Sequence, residues 1–233
     1  MRTYRIEIRV IQLSVLLSVL VVIAGFFGLW GNKTNEQTNT PPQQNEPATE
    51  VRNTKIVALG DSFTLGYPGT AENSWPAVLA QMLQVEVINK GKSQQTSQDL
   101  YSRFETDVLA EDPGQVIIFA GNGDALRDIP LETFQEYITA MVEKAESNHI
   151  EPVLALPLPY KGVQNTIKEF REWELNYAKE KKIQVLDFAS VLMDADNNFL
   201  EGLSEDGKYP TKEGYRRMGE YAARILNLGI QVQ

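Results

Sequence analysis

From Lys55 onward, short apolar runs alternate with amphipathic stretches, and this alternation limits the fold more than any other feature. The runs are KIVALG (Lys55–Gly60), VEVINKG (Val85–Gly91), QVIIFAG (Gln115–Gly121), PVLALPLP (Pro152–Pro159) and IQVLDF (Ile183–Phe188). They are rich in Val, Ile and Leu and mostly lack the polar–apolar alternation of a half-exposed sheet, as expected of strands covered on both faces. Helical patterns fill the intervals near Ser74–Leu83, Ser97–Glu111, Leu131–Ser147 and Val163–Lys181, with a last one over Thr211–Leu226. The spacing of Phe134, Ile138, Met141, Val142 and Ala145 marks a buried helical stripe. Strand–helix repeats of this kind predict an α/β fold, a five-stranded parallel sheet with helices on both faces. Ligands of such folds bind beyond the carboxyl ends of the strands. A functional residue is therefore expected just after a strand.

The chain before this domain has a different character. Residues 1–9 carry Arg2, Arg5 and Arg9, and Val10–Trp30 is apolar apart from Gln12, Ser14 and Ser18. A span of about 21 residues is long enough to cross a hydrocarbon core. The arginines predict a cytoplasmic amino end, a single-pass signal-anchor over 10–30, and an extracytoplasmic domain at the cell membrane. The alternative is a cleaved signal peptide and a secreted domain, but no small-x-small cleavage site precedes Asn32. Residues 31–54 are rich in Asn, Thr, Gln and Pro and read as a disordered linker to the domain over 55–233.

Composition removes several chemistries. A net charge of −9 among 233 residues argues against a nucleic-acid partner. The absence of cysteine excludes thiolate chemistry, and with one histidine, His149, no metal site or cofactor is expected. Three strand tips carry polar or bare residues: Ser62 in GDSFTLGY, Gly91 in VINKG and Asn122 in AGNGD. Each alone reads equally as turn chemistry. Before the last helix, DGKYPTKEGY places Asp206 three residues ahead of the Tyr209 ring, a spacing at which hydrolases keep an acid–base pair.

Taken together and in order, these blocks resemble the SGNH (GDSL-type) serine hydrolase family, esterases and lipases, over most of Ile56–Leu226. GDSFTLGY resembles its nucleophile block, VINKGKSQQTS its glycine block, VIIFAGNGDALRDIP its Gly-x-Asn-Asp block and DGKYPTKEGYRRM its Asp-x-x-His block. The resemblance implies a flavodoxin-like three-layer α/β/α sandwich. It implies Ser62 as nucleophile and an oxyanion hole from the N–H groups of Ser62 and Gly91 and the carboxamide of Asn122.

Two departures stand out. Asn122-Gly123-Asp124 holds an extra glycine, so either Asn122 keeps the donor role or Gly123 stands where the family has its asparagine. Tyr209 stands where the family has its catalytic histidine, which leaves the general base degenerate. A phenol ionises near ~10 against ~6.5 for imidazole, so it is a poor base at neutral pH. His149, just before the fourth strand, falls at the opposite rim. Asp206, its pKa raised by burial, is the expected substitute. The resemblance thus implies a serine esterase acting on a small ester, lipid or O-acetylated glycan. The alternative is an SGNH-fold binding module for a surface glycan or lipid that has lost its base. Tyr67, Trp75 and Tyr160 are candidates for lining the cleft, and packing accounts for Trp75 equally well.

Overall fold

The computed structural model describes residues 53–227. The expected anchor over 10–30 and nearly all of the expected linker lie outside them. Among the described residues no helix is long and apolar enough to cross a membrane.

Five strands form one parallel sheet: β1 (Ile56–Gly60), β2 (Val87–Gly91), β3 (Gln115–Phe119), β4 (Glu151–Ala155) and β5 (Gln184–Leu186), in the order β2-β1-β3-β4-β5. The helices are α1 (Ser62–Leu65), α2 (Trp75–Leu83), α3 (Ser97–Ser102), α4 (Phe104–Asp107), α5 (Asn122–Leu126), α6 (Leu131–Ser147), α7 (Gln164–Lys181), α8 (Ala189–Leu192) and α9 (Lys212–Asn227). The central strands β1 and β3 are buried almost throughout, whereas β2, an edge strand, is half-buried along its length. The chain leaves β1 for β2 on one side and places β3 on the other. The sheet therefore reverses direction between β1 and β3, where a crevice opens beyond the carboxyl ends.

Side-chain patterns explain the layers. The stripe Phe134, Ile138, Met141, Val142 and Ala145 is wholly buried along α6. This helix packs on α3 and α7, and α9 packs on α2. The amphipathic stretch Ser97–Glu111 does not form one helix. It breaks at Arg103, whose buried guanidinium donates to the carbonyls of Gly60 (2.9 Å) and Lys90 (2.9 Å), to Gln95 Oε1 (3.2 Å) and to Asp107 (2.5 Å). Arg103 thereby joins the tips of β1 and β2 immediately below the crevice.

One buried group opposes folding. Glu174, on the inward face of α7, is fully enclosed and neither of its carboxyl oxygens finds a hydrogen-bond donor. Burial raises its pKa well above the usual carboxylate value, and Arg171 offsets this only in part. Below the unfolded value of 4.5 both states are protonated, and the group makes no pH-dependent contribution. Above it the unfolded chain releases a proton that the folded chain keeps. Stability then falls as pH rises toward the folded pKa, by up to about 1.4 kcal/mol per pH unit. Urea midpoints measured at mildly acidic and mildly alkaline pH are expected to show this fall, and Glu174→Met to flatten it.

Candidate active site

The crevice begins where β1 meets α1. Asp61 caps the helix: its Oδ1 accepts the Phe63 N–H at 2.9 Å. Ser62 is the first helical residue, so its own N–H has no partner within the helix. Its Oγ accepts a hydrogen bond from the Gln94 N–H at 3.0 Å. Two backbone donors, those of Ser62 and Gln94, therefore stand at the serine.

Gln94 was not legible in the sequence. It sits at φ +59°, in the left-handed region that glycine enters most readily. The run KSQQTS holds no glycine there to mark the turn. The loop is held from three sides. The Gln94 carbonyl accepts from Arg127 Nη2 (2.7 Å), Thr96 and Asp99 form a capping box, and Ser97 donates its N–H and hydroxyl to Asp124. Asp124 is buried; desolvation raises its pKa, and the bonds from Ser97 oppose that.

Of the donors expected at Gly91 and Asn122, the first is engaged elsewhere and the second in part. The Gly91 N–H donates to Asn89 Oδ1 at 2.8 Å, and a Cβ on Gly91 would lie 2.1 Å from the Leu65 N. That glycine lets β2 pack against the backbone of α1. The Asn122 carboxamide is buried and makes two bonds with Leu158: Nδ2 donates to its carbonyl at 2.8 Å and Oδ1 accepts its N–H at 3.0 Å. It joins the ends of β3 and β4 with one of the two Nδ2 hydrogens. Gly123 backs onto the Gln95 carbonyl so closely that a Cβ would lie 2.0 Å from that oxygen.

Asp206 also differs from expectation. Its Oδ1 accepts the N–H groups of Lys208 (2.9 Å) and Tyr209 (2.8 Å) and the Ser204 hydroxyl (3.2 Å), which makes it the organiser of its own turn. Partial burial pushes its pKa up, but these donors outweigh it and the net shift is downward. The expected rise does not occur, and Asp206 is a weaker base than a free carboxylate.

Tyr209 reaches the serine's helix. Its ring lies 5.1 Å from that of Phe63 and 4.8 Å, edge-on, from that of Tyr67. The Lys208 ammonium stands 4.8 Å from the Tyr209 ring centre and 5.2 Å from that of Tyr160. Tyr160 is buried, its hydroxyl unpartnered, and desolvation pushes its pKa up. Trp75 is fully buried against Phe188 and takes no part in the cleft. Tyr67 is 47 % exposed and remains at the rim. Beside it a cleft of about 300 Å³ is lined by Pro68, Asn73, Asp206, Tyr209, Lys212 and Tyr215. An apolar hollow lined by Ile56, Leu83, Val85 and Leu226 carries none of these reactive groups. His149 is exposed, follows α6 and precedes β4, at the amino end of the sheet.

A hydroxyl at a helix start, flanked by two fixed N–H donors, is suited to attacking a carbonyl and holding the resulting oxyanion. Comparison with known proteins agrees. Residues 58–217 match the model of the GDSL-like Lipase/Acylhydrolase family. A solved structure from Desulfitobacterium hafniense DCB-2, described as a lipolytic protein of the G-D-S-L family, is 73 % identical. It aligns over 74 % of this chain and 99 % of its own with a TM-score of 0.73. The thioesterase 1/protease 1/lysophospholipase L1 of Escherichia coli (strain K12) is 24 % identical, over 73 % of this chain and 82 % of its own. An arylesterase of Vibrio mimicus is 24 % identical over 74 % and 88 % respectively. With Gly60-Asp61-Ser62 at the first strand tip of such a sheet, the chain belongs to the GDSL-like lipase/acylhydrolase family and is a hydrolase of ester bonds.

Proposed function

We propose that Ser62 is the nucleophile of an esterase whose oxyanion hole is formed by the N–H groups of Ser62 and Gln94. The observation that carries this reading is the 3.0 Å hydrogen bond from the Gln94 N–H to Ser62 Oγ, at a serine whose own N–H is free of the helix. Attack on an ester carbonyl moves negative charge onto an oxygen within reach of both donors. Each such donor contributes about 2.7–4 kcal/mol to transition-state stabilisation. Asn122 and Gly91 then act as positioning residues, one tying β3 to β4 and the other seating α1 on β2. Tyr209 occupies the place of the family's histidine, and Asp206 shapes the turn that presents it.

The substrate is a small ester, an acylated glycan or a lipid. The exposed Tyr67 beside a cleft with mixed polar and aromatic walls supports this class. The apolar run over 10–30, preceded by three arginines, supports a tether that holds the domain outside the cytoplasmic membrane. Incubation with a fluorophosphonate, followed by peptide mass spectrometry, tests the nucleophile. The expected result is one phosphonyl group on Ser62 together with loss of 4-nitrophenyl acetate hydrolysis. Labelling elsewhere, with Ser62 unmodified, overturns the assignment.

A further inference from the structure

Two hydrogen bonds fix the backbone of Gln94 among the described residues. Its N–H donates to Ser62 Oγ at 3.0 Å, and its carbonyl accepts from Arg127 Nη2 at 2.7 Å. Between them the chain turns at φ +59°, a conformation that glycine adopts freely and a residue with a Cβ does not. Relaxation to a negative φ swings the N–H away from the serine. The left-handed turn therefore has to be held for the donor to stay in place.

The other restraints on this loop act further along it. Arg103 Nε holds Gln95 Oε1, the Thr96–Asp99 box caps α3, and Asp124 takes the N–H and hydroxyl of Ser97. None of these reaches Gln94, whereas Arg127 does. Arg127 directly follows α5, and its N–H closes that helix on the carbonyls of Asp124 and Ala125. Its Nη1 stands 3.4 Å from Asp99 Oδ2, so one guanidinium spans the turn and the capping box. A charged donor bonds a carbonyl more strongly than a neutral one. About half of the side chain is exposed, so its contribution lies in this bond more than in packing.

We propose that Arg127 is a positioning residue for catalysis: its bond to the Gln94 carbonyl holds the turn that aims the Gln94 N–H at the reacting centre. This deepens the esterase reading and rests on it. As the ester carbonyl takes on negative charge, a donor already in place stabilises it without rearrangement, and one free to swing away does not. Arg127 acts through the loop, so its effect falls on the turnover of bound ester and not on binding. Glycine takes φ of either sign about equally, so a glycine at position 94 lessens the dependence on Arg127.

The test is hydrolysis of 4-nitrophenyl acetate by the full-length chain, with Ser62→Ala as the blank. Arg127→Met is expected to lower kcat by about 10-fold, part of the ~10²–10³ that outright loss of an oxyanion donor costs, and to leave KM within about twofold. In a Gln94→Gly background the same substitution is expected to lower kcat by only about twofold. Exchange of the Gln94 amide hydrogen, followed by NMR, is expected to quicken about 10-fold in Arg127→Met, because its bond to Ser62 opens more often. An unchanged kcat, a loss confined to KM, an equal loss in both backgrounds or an unchanged Gln94 exchange rate overturns the proposal. Arg127→Ala decides by the same measurements if Arg127→Met does not fold. Failure of the esterase reading shows separately, as turnover that Ser62→Ala leaves in place; the exchange rate then still tests the hold of Arg127 on Gln94.

Discussion

Tyr209→His is expected to raise kcat/KM for 4-nitrophenyl acetate by about 100-fold, the interval between the low and high ends of general-base catalysis. A phenol ionises near ~10 and imidazole near ~6.5, so only the latter takes a proton readily at neutral pH. The place is already prepared. The Tyr209 ring packs on Phe63, the residue after Ser62. Asp206 accepts every one of its bonds through Oδ1, which leaves Oδ2 to receive an imidazole N–H and orient the ring. The gain is that of an imidazole able to take a proton directly. It is expected to vanish when Ser62→Ala is added. A Tyr209→His variant that folds as well as the parent and gains nothing would show that position 209 does not face the nucleophile.

Much of the architecture is written in local patterns. The α6 stripe is legible because burial on one face of a helix repeats every three to four residues. The five apolar runs are legible because strands covered on both sides tolerate few polar residues. The break inside Ser97–Glu111 was not legible, since Arg103 ends the helix by reaching carbonyls on two strands distant in sequence.

The site divides in the same way. Ser62 stands out as a candidate from its block, and Tyr209 from its offset to Asp206. The Gln94 N–H that meets Ser62 Oγ could not be read, because a backbone N–H belongs to every residue except proline and carries no compositional mark. Gly91 has the residue type of a donor, yet its N–H is committed to Asn89, and Asn122 spends one of its two amide hydrogens on Leu158. Residue type shows what a group can do. Only geometry shows whether another partner has already taken it. Asp61 makes the same point: its type offers an acid, and the structure uses it as the cap of α1, its Oδ1 accepting the Phe63 N–H.

Arg103→Met is expected to destabilise the domain by about 3–5 kcal/mol, the range for removing one member of a buried ion pair. Three kinds of partner lose a bond at once. The Gly60 and Lys90 carbonyls lose the guanidinium at the tips of β1 and β2, with Gly60 keeping only the Lys92 N–H, Gln95 loses its anchor, and Asp107 keeps only Lys92. Methionine fills much of the space but donates nothing, so the loss is of hydrogen bonds more than of volume. Lysine preserves the charge and cannot span four acceptors, so Arg103→Lys is expected to recover only part of the loss. The pH dependence separates the ion pair from the carbonyl bridges. Burial pushes the Asp107 pKa up, but Arg103 and Lys92 outweigh it and hold it below its ordinary 3.8. The stability this pair contributes is therefore present above 3.8 and lost as pH falls through the lowered value. Urea unfolding at neutral and strongly acidic pH should show the parent and Arg103→Met converging in acid, with a residual gap set by the lost bonds to the two strand carbonyls and Gln95. Equal stability of the two at neutral pH would mean that the tips of β1 and β2 are held by something other than this guanidinium. The Gln94 loop would then owe its position at Ser62 to Asp124, Arg127 and the Thr96–Asp99 capping box.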